Sequence, residues 1–165
     1  MSRSDAADAA AERPMGRVRA VALGACVLYA GAAVMVYEFL AVRFLARGFG
    51  GSLDVWGAVV TVCLAGLSIG YAVGGALADR YRSPRVLGCA LILAGFTGAF
   101  MERLALASGA YLMEREVGLV WHPHAAAAVS SFLPILALGT VMPQAVAIYT
   151  RRLEHAGSTA GRLAA

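Results

Sequence analysis

The ionisable residue that stands out in this sequence is Glu38, which lies inside the apolar run Val-Tyr-Glu-Phe-Leu. A carboxylate at membrane depth is costly unless it is paired or reaches water, so it is a candidate for function. An ion pair or a place at the membrane surface is one explanation, and binding of a cationic ligand is the other. We take Tyr37 and Arg43 as its candidate partners in a substrate site, although Arg43 is not on the same helical face.

Two further charged residues, Glu102 and Arg103, lie where a long apolar stretch ends. Opposite charges that meet between neighbouring helices form ion pairs. We therefore expect these residues to pair with Glu38 or Arg43 at the same side of the membrane.

The histidines His122 and His124 follow Glu114 and Glu116, and all four carry atoms that bind zinc. Their spacing matches no known metal site, so we expect two histidines in an exposed loop and no bound metal. The cysteines are spread through the apolar stretches without paired spacing, which favours packing over redox chemistry. They are Cys26, Cys63 and Cys89.

Motifs typical of enzymes are absent from the sequence. It contains no glycine-rich loop after a strand, no serine elbow, and no HExxH or CxxC motif. We therefore expect no cofactor and no catalysis by this chain alone.

The elements that hold these residues are predicted to be membrane-spanning helices. Of the 165 residues, 60% are hydrophobic and 15% are charged, compared with about 45–50% and about 25% in soluble domains. This excess of apolar residues indicates an integral membrane protein whose main partner is the lipid bilayer. The net charge of +4 comes from arginines beside apolar blocks, so no nucleic-acid partner is expected.

Four stretches reach the length of about 20 apolar residues that crosses a bilayer. The sequence therefore predicts an all-α membrane protein with four transmembrane helices. The predicted spans are residues 20–42, 55–78, 86–107 and 125–150, within a transmembrane domain of residues 20–150. Residues 1–19 are predicted to be a disordered cytoplasmic tail, and residues 151–165 a cytoplasmic C-terminal segment.

The distribution of arginines predicts the orientation of these spans. With both termini in the cytoplasm, ten of the 14 arginines lie on the inner side. Trp56 and Trp121 then lie at the outer interface, which tryptophan favours. We expect a multi-pass protein of the cell membrane, the inner membrane of a bacterium.

The second span carries Gly66, Gly70 and Gly74 at intervals of four residues, which leaves one helix face without side chains. A neighbouring helix can approach such a face closely. Packing within the protein is the favoured interpretation, and self-dimerisation through this face is the alternative. Pro134 and Pro143 are predicted to bend the fourth span.

The predicted turn between spans two and three carries the sequence Gly75-Ala-Leu-Ala-Asp79-Arg80-Tyr-Arg. It resembles the loop signature of the major facilitator superfamily, in which an aspartate and basic residues lie between the second and third helices. The match is partial, because Arg82 stands where the signature has a glycine.

Residues 24–165 also resemble a second family, the bacterial membrane-bound spermidine synthase-like proteins, in their N-terminal membrane region. In that family, further helices and a soluble aminopropyltransferase domain follow this point. The resemblance thus implies that the catalytic part is supplied by a separate chain or that the gene product is truncated. It is carried, in order, by Tyr37-Glu38, Arg43, Gly50-Gly51-Ser52, Trp56, Gly66-Leu67, Gly70, Gly74-Gly75, Leu77 to Arg80, Leu133-Pro134, Gly139, Pro143 and Gly161 to Ala164.

Two functions follow from these observations. The first is a non-catalytic membrane module that anchors or regulates a soluble polyamine-synthase-type partner. The second is a partial transporter, resembling the major facilitators, which acts as a homo-oligomer or with another membrane chain on a small cation such as a polyamine. Four spans are too few for a facilitator monomer, which that family builds from twelve, so transport requires partners.

Overall fold

The computed structural model describes residues 17–81, 83–114 and 121–150, and these residues are helical with no strand among them. They form five helices in chain order, and a sixth helical segment, residues 141–150, follows the fifth helix after Thr140. The helices are α1 (Arg17–Phe49), α2 (Leu53–Tyr81), α3 (Pro84–Ala99), α4 (Met101–Met113) and α5 (His122–Gly139), and we call residues 141–150 α6.

Three helical stretches are long and apolar enough to cross a membrane. They are Val18–Phe49 in α1, Leu53–Tyr81 in α2, and His122–Thr150, which comprises α5 and α6. A fourth crossing results if α3 and α4, which meet at an angle of 48°, are taken as one bent span. Over its described residues, the chain is thus an all-α protein with three to four candidate membrane spans.

Helix α1 is longer at both ends than the predicted first span. It begins at Arg17, three residues inside the predicted tail, because arginine favours helix and its long side chain reaches polar surroundings. It continues past Val42 to Phe49, where Gly50 adopts a φ of +80° that ends the helix. The remainder of the predicted tail and the C-terminal segment lie outside the described residues.

The third predicted span is bent rather than straight. The carbonyl of Ala94 accepts hydrogen bonds from the Tyr37 and Thr97 hydroxyls, and Thr97 also donates to the Leu93 carbonyl. Side chains that bond to helix carbonyls weaken the backbone ladder and favour a bend. Helix α3 ends at Ala99, with Phe100 as its cap, and α4 continues in the new direction to Met113 rather than ending at residue 107.

Helix α5 is the centre of the bundle, because it packs against α1, α2, α3 and α4. Its closest neighbour is α2, whose glycine face lies against it. A Cβ atom on Gly70 would lie 2.5 Å from the Leu136 carbonyl oxygen, and one on Gly74 would lie 2.6 Å from the Thr140 Cα. One on Gly66 would lie 3.3 Å from Ile135. The glycine face is therefore covered within the chain.

The bundle has two ends, which we name by their residues. The Arg80 end carries the turn from Tyr81 to Pro84, where the Ser83 hydroxyl caps α3 by accepting a hydrogen bond from the Arg85 amide. The Trp56 end carries the turn between α1 and α2 and the first turn of α5. A separate apolar core lies toward each end, around Leu45 and Val59 in one case and around Val34 and Val141 in the other.

The last span is interrupted at Thr140, between α5 and α6. Pro143 has no amide hydrogen, so it cannot donate to the helix carbonyl four residues earlier. The Thr140 hydroxyl turns back to the Ala137 carbonyl at 2.8 Å. One residue, Thr140, thus leaves the helical pattern in the turn before the predicted bend at Pro143, whereas Pro134 lies inside α5 without such a departure.

Candidate functional site

Glu38 lies deep in α1 rather than near its end. Eleven residues separate it from Phe49, a distance of about 16 Å along the helix axis. Its side chain is half-buried on the side of α1 that faces α2, within electrostatic range of Cys63. Among the residues that the structure describes, Glu38 forms no hydrogen bond and no ion pair.

Tyr37 has a different neighbourhood from Glu38. Its hydroxyl donates a hydrogen bond to the Ala94 carbonyl of α3 at 3.1 Å, and its ring lies against Gly98. Adjacent residues on a helix point about 100° apart, so Tyr37 faces α3 while Glu38 faces α2. The contacts of Tyr37 are those of a residue that joins two helices.

Arg43, the third residue of the predicted substrate site, is exposed and forms no ion pair within the described part of the chain. The structure therefore places Tyr37, Glu38 and Arg43 on three different sides of α1. It does not bring them together in one binding site, because their spacing of one and five residues spreads them around the helix.

The ion pair of the described residues joins Arg47 on α1 to Glu102 on α4, with 2.7 Å between Nη1 and Oε1. Both side chains are about 50% exposed. The predicted pairing of Glu102 with Glu38 or Arg43 is therefore wrong, because its partner is Arg47. The partner was missed because α1 was predicted to end at residue 42, which leaves Arg47 outside the helix.

The two histidines lie in the first turn of α5 and line a cavity of about 440 Å³ at the Trp56 end. His122 is only 5% exposed, and the buried Nδ1 atom of His124 has no hydrogen-bond partner within the part of the chain that the structure describes. Ser52, Asp54 and Met113 also line this cavity. The expectation of two histidines in an exposed loop is therefore wrong, because Pro123 starts a helix there and packing buries its first turn.

No metal centre is formed by the described part of the chain, in which no three His, Cys, Asp or Glu side chains are close enough to share an ion. Glu116, named with the histidines in the sequence, lies outside the described residues. The cysteines Cys26, Cys63 and Cys89 are free thiols.

The residues of the loop motif lie at the Arg80 end. Asp79 and Arg80 are exposed in the last turn of α2, and the Arg80 guanidinium lies 5.5 Å from the centre of the Tyr81 ring. Gly75 has open space where a side chain would begin. The motif therefore presents its charged groups outward, where a partner can reach them.

Gln144 on α6 is a buried polar residue that lies outside the sites predicted from the sequence. It is 3% exposed, and among the described residues neither its amide nitrogen nor its amide oxygen has a hydrogen-bond partner. It lines a narrow pocket with Tyr81 and Ser83 that has no room for a water molecule. Its signal in the sequence was an amide side chain inside an apolar run.

The polar groups of the bundle thus lie at three levels: Glu38 within α1, the histidine cavity at the Trp56 end, and Gln144 with the loop motif at the Arg80 end. In comparisons with known proteins, the chain matches no family model, no curated protein and no solved structure.

Proposed function

We propose that this chain is a non-catalytic integral membrane module that anchors or regulates a polyamine-synthase-type partner and associates with another membrane chain. In this proposal the chain crosses the membrane four times, with α3 and α4 together as the third span. Both termini lie in the cytoplasm, and the membrane is the inner membrane of a bacterium.

The orientation is supported by the charges and aromatic residues at the two ends of the bundle. Arg80 and Arg85 are exposed at the Arg80 end, and Trp56 and Trp121 are exposed at the opposite end. Cytoplasmic loops are enriched in arginine, and tryptophan favours the interface. These observations favour a cytoplasmic Arg80 end.

The observation that carries the proposed association is the unpaired carboxylate of Glu38. A carboxylate within a membrane helix is stable when a partner or a water-filled cavity compensates its charge. Its own chain provides no such partner among the described residues. A donor or cation from another membrane chain would complete the site.

The surface of α1 supports the same association. Few residues of α1 are covered by the rest of the bundle, whereas most of the last span is buried. Its exposed face carries both large apolar and small residues, so a neighbouring helix can pack there. The large exposed residues of this helix are Val18, Val21, Leu28, Tyr29, Met35, Val36 and Phe39.

The anchoring role rests on the Arg80 end and on the resemblance to the spermidine synthase-like proteins. Asp79, Arg80 and Arg85 point outward there, so an acidic face on a soluble partner can dock against the two arginines. The resemblance supplies the identity of that partner, an aminopropyltransferase.

Co-purification of an aminopropyltransferase tests the anchoring role. The tagged chain is isolated from its native membrane in mild detergent, and transfer of the aminopropyl group from decarboxylated S-adenosylmethionine to putrescine is measured. We expect activity to co-purify and to fall in the double variant R80E/R85E, whereas Arg43→Glu at the opposite end retains it. An intact chain that brings down no activity contradicts the anchoring role.

Substitution of Glu38 tests the association with a second membrane chain. We expect Glu38→Gln to reduce the size of the native complex on a blue native gel. Glu102→Gln is the matched control, because the partner of Glu102 lies within the chain. A complex of unchanged size in Glu38→Gln refutes the proposed role of this carboxylate.

Transport of a small cation is the competing function, and the same carboxylate supports it. Glu38 could compensate the charge of a polyamine as well as that of a protein side chain. Uptake of labelled polyamine into vesicles that contain only this chain, with loss of uptake in Glu38→Gln, would favour transport. It would overturn the proposal that the chain is a non-catalytic membrane module.

A further inference from the structure

An apolar groove of about 470 Å³ runs along the bundle at the Arg80 end, between α1, the start of α3 and α6. It extends over about two turns of α1, from Arg19 to Cys26. Its walls are mostly aliphatic, and one arginine lies at its mouth. The side chains that matter below are Arg19, Ala22 and Leu23 of α1, Pro84 and Leu87 of α3, and Ile148 of α6.

Helices α1 and α3 are joined farther from the Arg80 end than the groove lies. There the Tyr37 hydroxyl binds the Ala94 carbonyl and the ring lies against Gly98. Toward the Arg80 end the two helices are separated by the groove, and the apolar core beneath it includes Leu87 and Val141. The groove is therefore a cleft on the lipid-facing side of the bundle.

Positive charge is concentrated at the mouth of this groove. Arg19 lines it, and Arg85 is exposed in the first turn of α3, directly after the lining residue Pro84. Within the described residues neither arginine forms an ion pair. A ligand that combines a long apolar part with an anionic group matches this arrangement.

We propose that the groove binds one anionic phospholipid, with an acyl chain along the aliphatic walls and the headgroup phosphate at Arg19. Arg85 adds positive charge at the same end, which favours a lipid of net negative charge over a zwitterionic one. Basic pockets between membrane helices bind such headgroups. This site does not depend on the proposed partner or on transport.

The dimensions of the groove favour a lipid chain over a protein helix. A helix with its side chains is about 10 Å wide, and a groove of this volume along two turns of α1 does not admit one. An extended hydrocarbon chain is much thinner, and it gains van der Waals contacts along the aliphatic walls. Inorganic phosphate alone would leave the aliphatic walls without a partner.

Native mass spectrometry of the purified chain tests this site. After exchange into detergent with phosphatidylglycerol or with phosphatidylcholine, the number of retained lipids per chain is counted. We expect one phosphatidylglycerol to be retained and phosphatidylcholine to be lost. Equal retention of both lipids, or retention of neither, overturns the proposal.

Two variants locate the lipid, each with a matched control. Arg19→Gln removes the headgroup contact and is expected to weaken phosphatidylglycerol binding about fivefold, whereas Arg43→Gln at the opposite end has no effect. Ala22→Phe fills the groove and is expected to abolish retention, whereas Ala25→Phe, on an exposed face of α1, retains the lipid. If both groove variants bind like the parent, the lipid lies elsewhere and the proposal is wrong.

Thermal unfolding separates the lipid from its components and from a protein occupant. We expect phosphatidylglycerol to raise the unfolding midpoint of the parent and of Arg43→Gln but not of Ala22→Phe. Inorganic phosphate at the same concentration should have no effect. Stabilisation by inorganic phosphate alone would overturn lipid binding. The proposal would also be overturned if the groove stays accessible in phosphatidylglycerol but is filled by a partner chain in native membranes.

Discussion

The aromatic ring of Tyr37 on α1 fills the space into which a side chain at Gly98 of α3 would point. One turn earlier, the Ala94 carbonyl accepts the hydrogen bond from the Tyr37 hydroxyl. Tyrosine thus contributes an apolar body that packs and a polar tip that is satisfied within the bundle. This contact joins α1 to α3.

We expect Gly98→Ala to lower the free energy of unfolding by about 1–3 kcal/mol, because the new methyl group overlaps the Tyr37 ring. Tyr37→Ala in the same chain should recover part of this loss, since it removes the overlapping atoms. The measurement is reversible unfolding in detergent by increasing SDS. Gly95→Ala is the control, because Gly95 has open space around it and alanine favours helix. Equal effects of the two alanine substitutions would contradict the contact.

Substitutions on the glycine face of α2 should lower the free energy of unfolding more than Gly98→Ala does. Alanine at Gly70 or Gly74 would bring its Cβ to 2.5 or 2.6 Å from backbone atoms of the last span, which cannot move aside as a side chain can. We expect each substitution to cost about 3 kcal/mol, near the upper end for overpacking. Gly75→Ala, on the next residue and with open space, should be neutral or stabilising. The same SDS titration measures all three variants, and a neutral Gly74→Ala would refute the packing of α2 against the last span around Thr140.

The ion pair of Arg47 and Glu102 should contribute little to stability. Both side chains are about 50% exposed, so solvent screens the attraction, and pairs of this kind contribute at most about 1 kcal/mol. We expect Glu102→Gln to lower the free energy of unfolding by less than 1 kcal/mol, with a smaller loss at high salt. The reversed pair R47E/E102R should be close to the parent. A loss of several kcal/mol in Glu102→Gln would show that the pair is buried.

Labelling of introduced cysteines checks the proposed orientation. In a chain that lacks Cys26, Cys63 and Cys89, a membrane-impermeant maleimide is added to intact cells. Tyr81→Cys at the Arg80 end should not react, because that end is proposed to face the cytoplasm. Leu53→Cys, at a residue that is 89% exposed at the Trp56 end, should react readily. The opposite pattern would invert the topology.

Replacing Gln144 by an apolar residue should stabilise the protein. Its two amide atoms are buried without partners, and an unsatisfied buried polar group costs about 1–3 kcal/mol. We expect Gln144→Leu, of similar size, to raise the free energy of unfolding by about 1 kcal/mol or more. Leu138→Gln, at another buried position on the last span, should have the opposite effect. If Gln144→Leu destabilises the protein, the amide has a partner in the membrane.

The location of the helices was predictable from the sequence because apolar length decides whether a segment crosses a bilayer. The end of α1 before Gly50 and the cap of α3 at Ser83 have a local explanation in backbone chemistry, which depends on a few adjacent residues. The end of α1 was misplaced because Arg43 and Arg47 look like a boundary by polarity. Arginine is nevertheless compatible with a helix that continues beyond the apolar stretch.

The site was harder to predict than the helices, because it depends on which side of each helix a residue faces. Tyr37 and Glu38 are adjacent in sequence but face different helices. The pairing of Arg47 with Glu102 spans 55 positions, and no local pattern links them. The burial of His122 depends likewise on how α5 packs against α1 and α2, which hydrophobicity along the chain does not specify.

The central position of α5 has a consequence for biogenesis. The helices are inserted into the membrane in chain order, and α1, α2 and α3 precede the helix against which each of them packs. Until His122–Thr150 enters the bilayer, the glycine face of α2 has no partner within the chain. Assembly of the bundle therefore has to await the last span.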